Sequence, residues 1–293
     1  VTAAEGDQQE RAQPAGKDSP HLEEHEQKLA ADAQQMPARV IHEVLREEGE
    51  HELRRPVGAL LWSGLAAGLS MGFSFLTLAL LKNRMAGDPA AEVVAPIGYS
   101  VGFLIAVLGK QQLFTETTLT ATLPLFHRPT LDGFVRLGRM WIVVLAANLV
   151  GTVIFAWLLS RPGLANPDLA RGLMEPARHS FSENFAVGLL RSMFSGWLIA
   201  LIVWLLPASK TAAPFVIAAL TYVVALAGFP HVIAGSTEAA YAVLNGAKSW
   251  SDYLVSFLAP TLLGNLIGGT ALAALLNHAP VAHDMAAREE AQA

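Results

Sequence analysis

Two short stretches place side chains that can handle protons or small solutes within apolar sequence. They are Leu113-Phe114-Thr115-Glu116-Thr117-Thr118 and Gly228-Phe229-Pro230-His231, the second followed by Gly235-Ser236-Thr237-Glu238. Imidazole is the side chain whose ordinary titration lies near neutrality. A hydroxyl donates and accepts hydrogen bonds, and a carboxyl group accepts them or carries a proton. His231, Thr115, Glu116 and Glu238 are therefore the candidate solute- and proton-handling groups. Each also has a plain structural use. Thr115 can cap a helix. Glu116 and Glu238 can complement the first turn of a helix, with 235–238 read as a capping box. His231 can be a hydrogen-bonded structural imidazole. The chain contains no cysteine, and no second histidine stands at ligand spacing from His231, so no disulfide, metal or cofactor is expected. No nucleophile–base constellation points to an enzyme.

The elements that hold these groups are membrane helices. The chain of 293 residues is 53% hydrophobic and only 15% charged, with mean hydropathy +0.39. That is too little charge to cover a soluble surface. Crossing a hydrocarbon core of about 30 Å takes roughly 20 apolar residues. Six segments reach that length: 57–81; 93–126, interrupted at Gly109-Lys110-Gln111-Gln112; 134–159; 185–206; 212–244, interrupted at Gly228-Phe229-Pro230-His231; and 253–276. Residues 1–55 hold 7 Lys/Arg and 13 Asp/Glu, so the net charge of −5 belongs to this tail. The tail is expected to be partly disordered, with an amphipathic helix over 37–54 capping the membrane domain. Residues 56–278 form that domain and 279–293 a second tail. The polar start shows no signal-peptide pattern, so the first apolar segment is expected to direct insertion. A small Lys/Arg excess places both termini in the cytoplasm of a multi-pass protein of the inner (plasma) membrane. The bilayer is one partner and a small molecule or ion is the substrate; no nucleic-acid partner is expected.

The two halves resemble each other. Asn148-Leu149-Val150-Gly151 in the third segment matches Asn265-Leu266-Ile267-Gly268 in the sixth. Thr115 lies 33 residues before Asn148, and His231 lies 34 before Asn265. The fold class is all-α integral membrane: six transmembrane helices as two inverted three-helix repeats, with helices 2 and 5 broken. A break at membrane depth leaves peptide groups unpaired, and it survives only inside protein or beside a water-filled path. Asn148 and Asn265 are placed to bond the broken backbones. Arg191, a charge within the fourth segment, needs a carboxylate or backbone partner. Glycines at fourth-residue spacing (Gly64, Gly68 and Gly72; Gly98 and Gly102; Gly264 and Gly268) mark close helix contacts, within one protomer or between protomers.

The sequence resembles the formate/nitrite transporter family over about residues 57–277. The resemblance rests on Leu113-Phe114-Thr115, on Gly228-Phe229 with His231, on the Trp204-containing fourth segment, and on Asn265 with Gly268-Gly269. The wording of both breaks is closest to the YfdC-like branch. The resemblance implies a homopentamer of aquaporin-like protomers, each with its own pore for small monovalent anions or their neutral acids. It implies a proton-relay role for His231, a mobile loop bearing Thr115, and support from Asn265. It matches Leu113 and Phe114 to the apolar pair of that loop, and Tyr99, Phe103 and Val224 to constriction residues. This chain departs from the family in carrying Pro230 before the histidine, Gly196 and Gly235 where asparagines are usual, and Glu116 after the threonine.

The expected function is thus a channel for a small solute, a monovalent weak-acid anion with proton-linked passage. Two alternatives stand beside it. One is a path for a neutral or cationic solute that uses Glu116 and Glu238. The other is a non-conducting membrane scaffold whose acidic tail recruits a partner.

Overall fold

The structure is a computed structural model that describes residues 23, 25–27, 36–182 and 184–283. Most of the tail expected to be partly disordered, and residues 284–293, lie outside the described residues. The chain divides into two units, Val1–Val40 and Ile41–Ala293. Of the first, a helical turn at 25–27 and the start of α1 are described. The contacts below concern the second.

The helices are α1 (Ala38–Leu53), α2 (Val57–Arg84), α3 (Ala91–Leu108), α4 (Phe114–Thr120), α5 (Leu123–His127), α6 (Leu131–Leu159), α7 (Pro167–His179), α8 (Phe185–Ser209), α9 (Ala213–Leu226), α10 (Ala234–Leu244) and α11 (Trp250–His283). Five of them, α2, α3, α6, α8 and α11, are long and apolar enough to cross a membrane. The remaining crossing is shared by α9 and α10, on either side of the second break. The first break separates α3 from α4. Trp62, Ile142 and Phe215 are exposed on the protomer.

The two continuous helices of each half pack through glycine. A Cβ on Gly68 would stand 2.2 Å from the Asn148 carbonyl oxygen, and one on Gly72 would stand 2.2 Å from the Phe155 ring. The second half repeats this. A Cβ on Gly196 would lie 2.4 Å from the Asn265 carbonyl oxygen, and one on Gly268 would lie 2.1 Å from that of Met193. The glycine stripe of α2 therefore serves packing inside the protomer. In α11, π-helical runs at Tyr253–Leu258 and Ile267–Leu275 flank the α-helical stretch that carries Asn265.

α1 buries Ile41, His42, Leu45, Gly49 and Leu53 at helical spacing. It passes close over α4, since a Cβ on Gly49 would fall 2.0 Å from the Thr120 carbonyl oxygen. On its outer face, Arg46 binds Glu43 at 2.5 Å and also Glu50. Its inner face meets α11: His42 Nε2 lies 2.8 Å from His278 Nδ1, so one imidazole donates and the other accepts. Burial first, and then the neighbouring His278, hold the His42 pKa below the ordinary histidine value. Arg46 and His127 act in the same direction and Glu43 opposes them.

Two tests follow from this packing. Gly68→Val should destabilise the fold by about 3 kcal/mol or more, because the clash is with backbone and the helices must part. Gly58→Ala, where nothing lies within 4 Å of the added Cβ, should be near neutral; thermal unfolding in detergent reads both. For His42, the folded pKa is depressed, so the unfolded chain binds more protons at low pH. The docking of α1 is then complete above the ordinary pKa of about 6.5 and weakens as pH falls below it. Amide exchange over residues 41–53, corrected for its intrinsic pH dependence, should rise between pH 7.5 and 5.5, and the rise should vanish in His42→Leu.

Candidate functional site

Both breaks begin with the same backbone turn. After α3, Lys110 N–H donates to the Val107 carbonyl and Gln111 N–H to that of Ala106. After α9, Gly228 N–H donates to Ala225 and Phe229 N–H to Val224. This is the Schellman pattern, which needs a left-handed residue just past the helix. Gly228 supplies it with φ 60°, and Lys110 adopts φ 52° without the freedom of glycine.

One asparagine then satisfies each break. Asn148 Oδ1 accepts from Phe114 N–H at 2.9 Å, and its Nδ2 donates to Gln112 O at 2.9 Å and Gly64 O at 2.7 Å. Asn265 Oδ1 accepts from Val232 N–H at 2.8 Å, and its Nδ2 donates to Ser192 O at 2.8 Å, Ser195 Oγ at 2.9 Å and Pro230 O at 3.3 Å. The expected role of these asparagines is therefore present in both halves. Ser63 Oγ accepts from Gln112 N–H at 3.0 Å, and Ser195 donates to Pro230 O. Arg191 finds backbone partners, Ala227 O at 3.2 Å and Gly228 O at 2.8 Å.

These bonds fix the true register of the repeat. Phe114 and Val232 are equivalent, lying 34 and 33 residues before their asparagines. Thr115 therefore corresponds to Ile233, and His231 corresponds to Leu113. The matching of Thr115 with His231 by sequence spacing is off by two residues. Glu116 and Glu238 are not equivalent either: Glu116 aligns with Ala234, and Glu238 with Thr120.

Thr115 and His231 nevertheless meet. Thr115 Oγ1 lies 2.8 Å from His231 Nε2, both buried, and joins the two broken segments. Ala234 N–H points at His231 Nδ1 at 3.2 Å. A peptide N–H can only donate, so Nδ1 carries the lone pair and Nε2 the proton of the neutral ring. Nε2–H donates to Thr115 Oγ1, which leaves the threonine hydrogen available. Thr115 is thus not a cap. The N-cap of α4 is Leu113, which has no side-chain cap bond.

Two cavities flank this pair, and no residue lines both. The tail-side vestibule, about 450 Å³, is lined by α1 (Leu45, Glu48, Glu52), the first break and Glu116. The far vestibule, about 380 Å³, is lined by Tyr99, Val224, His231 and Glu238, with Lys82 at 3.2 Å from Glu175. One face of α3 connects them. Val107 lines the first, Tyr99 lines the second, and the buried Phe103 between them lines neither. Two helical steps of four residues make this dry section about 12 Å long. Phe103 packs edge-on against the His231 ring at 5.1 Å and tilted against Tyr99 at 5.4 Å. Leu113 lines the tail-side vestibule, whereas Phe114 turns to Trp141, with ring centroids 6.1 Å apart.

The two glutamates differ in use. Glu116 stands in the first turn of α4, as expected. Glu238 does not stand in the first turn of α10, and the capping box read at 235–238 does not form. Ser236 Oγ donates to Val232 O at 2.6 Å, and the N-cap residue of α10, Ile233, makes no side-chain cap bond. Glu238 instead accepts from Ser180 Oγ at 2.5 Å. Ser63, Ser180, Ser195 and Val107 were missed by sequence reasoning. Ser192 and Ser195, small polar residues three apart in an apolar helix, were the available signal for the α8 contact.

The sequence model described as formate/nitrite transporter matches residues 39–279. Inner membrane protein YfdC of Escherichia coli is 40% identical over 276 residues, covering 92% of this chain and 88% of that protein. Formate channel FocA of Haemophilus influenzae is 24% identical, covering 71% and 81%. Among solved structures, an FNT family ion channel superposes with TM-score 0.67 at 20% identity, covering 80% of this chain and 96% of the other. A pentameric formate channel with formate bound gives 0.60 at 19% identity, covering 73% and 92%. These likenesses fix the fold as the aquaporin-like protomer of six helices with two broken.

Asn148→Ala and Asn265→Ala each strand buried peptide groups. Each should cost about 3 kcal/mol or more, at roughly 1–3 kcal/mol per orphaned group. Thermal unfolding in detergent should show comparable losses for the two, since the asparagines do the same task in each half.

Proposed function

This chain belongs to the formate/nitrite transporter family, and we propose that it passes a small monovalent weak acid by proton-linked transfer at Thr115 and His231. The observation that carries the reading is the Thr115–His231 bond at 2.8 Å, with His231 lining the far vestibule and packed against Phe103 of the dry section. A bare anion is costly to move through such a section, and its neutral acid is not. Tyr99, Phe103, Val224 and Leu113 form the apolar barrier, Asn265 and Asn148 hold the breaks, and Phe114 anchors the first break on Trp141.

The proton count closes as follows. An anion entering from the far vestibule accepts a hydrogen bond from the free Thr115 hydroxyl. His231 takes a proton from vestibule water at Nδ1, releasing the Ala234 N–H. The Nε2 proton passes to Thr115 Oγ1 while the threonine proton passes to the anion. The products are the neutral acid and a neutral imidazole protonated at Nδ1. Exchange with water restores the Nε2–H form. One anion and one proton have become one neutral acid.

The protomer assembles as a homopentamer in the inner membrane, with both termini and the tail-side vestibule on the cytoplasmic side. The solved pentameric relative supports the assembly, and Arg55 in the lining of that vestibule, with Arg139 bonded to the Leu53 and Arg55 carbonyls, supports the orientation.

In proteoliposomes, uptake of formate, nitrite or acetate should rise as external pH falls. His231→Gln should lower it about 100-fold, the scale of a lost acid–base group. Undiminished flux in that variant, with the protein still folded, would end the relay role.

A further inference from the structure

The far vestibule holds a carboxyl group that the proton transfer above does not use. Glu238 is partly exposed in the wall of that cavity, and His231 lies in the same wall. Gly235 N–H donates to His231 O at 2.9 Å, so helical geometry begins at the histidine. His231, Gly235 and Glu238 then form one stripe, at i, i+4 and i+7, and all three line the vestibule. Gly235 adds no side chain between the other two. Seven residues put the backbones of His231 and Glu238 about 10 Å apart. A helical side chain leans toward the N-terminus, here toward His231. The gap that remains is the length of about two waters at hydrogen-bond spacing. Ser180 Oγ donates to Glu238 Oε2 at 2.5 Å, and the other oxygen, Oε1, is left open to the cavity.

The other titratable groups that face this cavity are engaged or stand farther out. Lys82 of α2 lies 3.7 Å from Glu92 of α3 and 3.2 Å from Glu175 of α7. These three also line an outer groove, which places them at the mouth. His179 of α7 is exposed, with Nδ1 at 2.7 Å from Glu175 O. Tyr99 of α3 presents a phenol, which ordinarily keeps its proton at neutral pH. Tyr253 of α11 donates to Ser236 Oγ at 3.0 Å, and α6 sends no side chain into the lining. Glu238 is the carboxyl on the stripe of His231 itself.

Free protons reach a buried site slowly. At pH 7 they stand at about 10⁻⁷ M, and a diffusion-limited encounter of roughly 10¹⁰ M⁻¹ s⁻¹ delivers about 10³ per second. A group that holds a proton beside the site lifts that limit. Resting on the weak-acid reading above, we propose that Glu238 is the proton-exchange group of the far vestibule, passing a proton through water to His231 and regaining one from the bulk. The carboxyl O–H breaks as the N–H at His231 Nδ1 forms. The carboxylate left behind accepts the Ser180 hydrogen bond until it takes up the next proton, so Glu238 ends each cycle as it began.

The experiment measures acetate uptake from the far side in oriented proteoliposomes holding the full chain. The pH and ionic strength are fixed while a small buffer, MES and then imidazole, is raised. Wild-type uptake should not depend on buffer. In Glu238→Gln it should fall about tenfold at low buffer, short of the roughly 100-fold of a group that transfers the proton directly. It should climb back toward wild type as buffer takes over the delivery. Ser180→Ala, which removes the hydrogen bond and keeps the carboxyl, should remain independent of buffer. Uptake in a folded Glu238→Gln protein that is unchanged, or lowered and restored by neither buffer, would overturn the inference while leaving the weak-acid channel standing. Buffer dependence in His179→Gln in place of Glu238→Gln would assign the exchange to His179 and overturn it equally. Absence of any weak-acid uptake in the wild-type chain would overturn the channel reading itself.

Discussion

A helix cut at membrane depth exposes peptide groups that lipid cannot satisfy, and in this chain two asparagines meet that need. The amide of asparagine suits the task because it accepts and donates at once. Asn148 takes the N–H of Phe114 and gives to the carbonyl of Gln112, so it spans the first break. Asn265 does the same from Val232 to Pro230. Each must come close to the helix beside it, and that approach requires Gly68 and Gly196, where a Cβ would strike the asparagine's own carbonyl. Glycine stripe, asparagine and break are thus one arrangement. Removing any of the three leaves the other two without purpose.

The scaffold is symmetric but the chemistry on it is not. The register set by the asparagines puts His231 opposite Leu113, and Thr115 opposite Ile233. One half supplies the hydroxyl and the other the imidazole, and they meet between the halves. The vestibules differ in the same way. The tail-side one carries the unpaired oxygens of Gln112 and Glu116, and the far one carries His231 and a Glu238 bound to Ser180. Two frames of identical backbone turn hold two unlike sets of groups.

Much of the frame was legible because membrane segments and breaks are written in long runs of composition. The six segments, the two interruptions and the asparagine repeat all follow from spacing along the chain. The exact pairing across the repeat did not. A two-residue shift in where α10 begins is invisible to a pattern of similar residues, so Thr115 was matched with His231 by position. The capping box at 235–238 failed for a related reason: Ser236 lies inside the helix, where its hydroxyl turns back to Val232 O. The Ser180–Glu238 contact joins residues 58 apart in sequence, and no local pattern announces it. The engagement of α1 with the channel mouth was legible only as an amphipathic pattern, because its partners, Thr120 and His278, come from distant parts of the chain.

The reach of the two asparagines also bears on how the protein is made. Every partner of Asn148 lies in the first half, and every partner of Asn265 lies in the second. Each half can close its own break as soon as its third helix has left the ribosome and entered the bilayer. The first half need not wait with exposed peptide groups while the second is synthesised. The Thr115–His231 bond, by contrast, needs both halves, so it cannot form until the second break has joined the first in the bilayer.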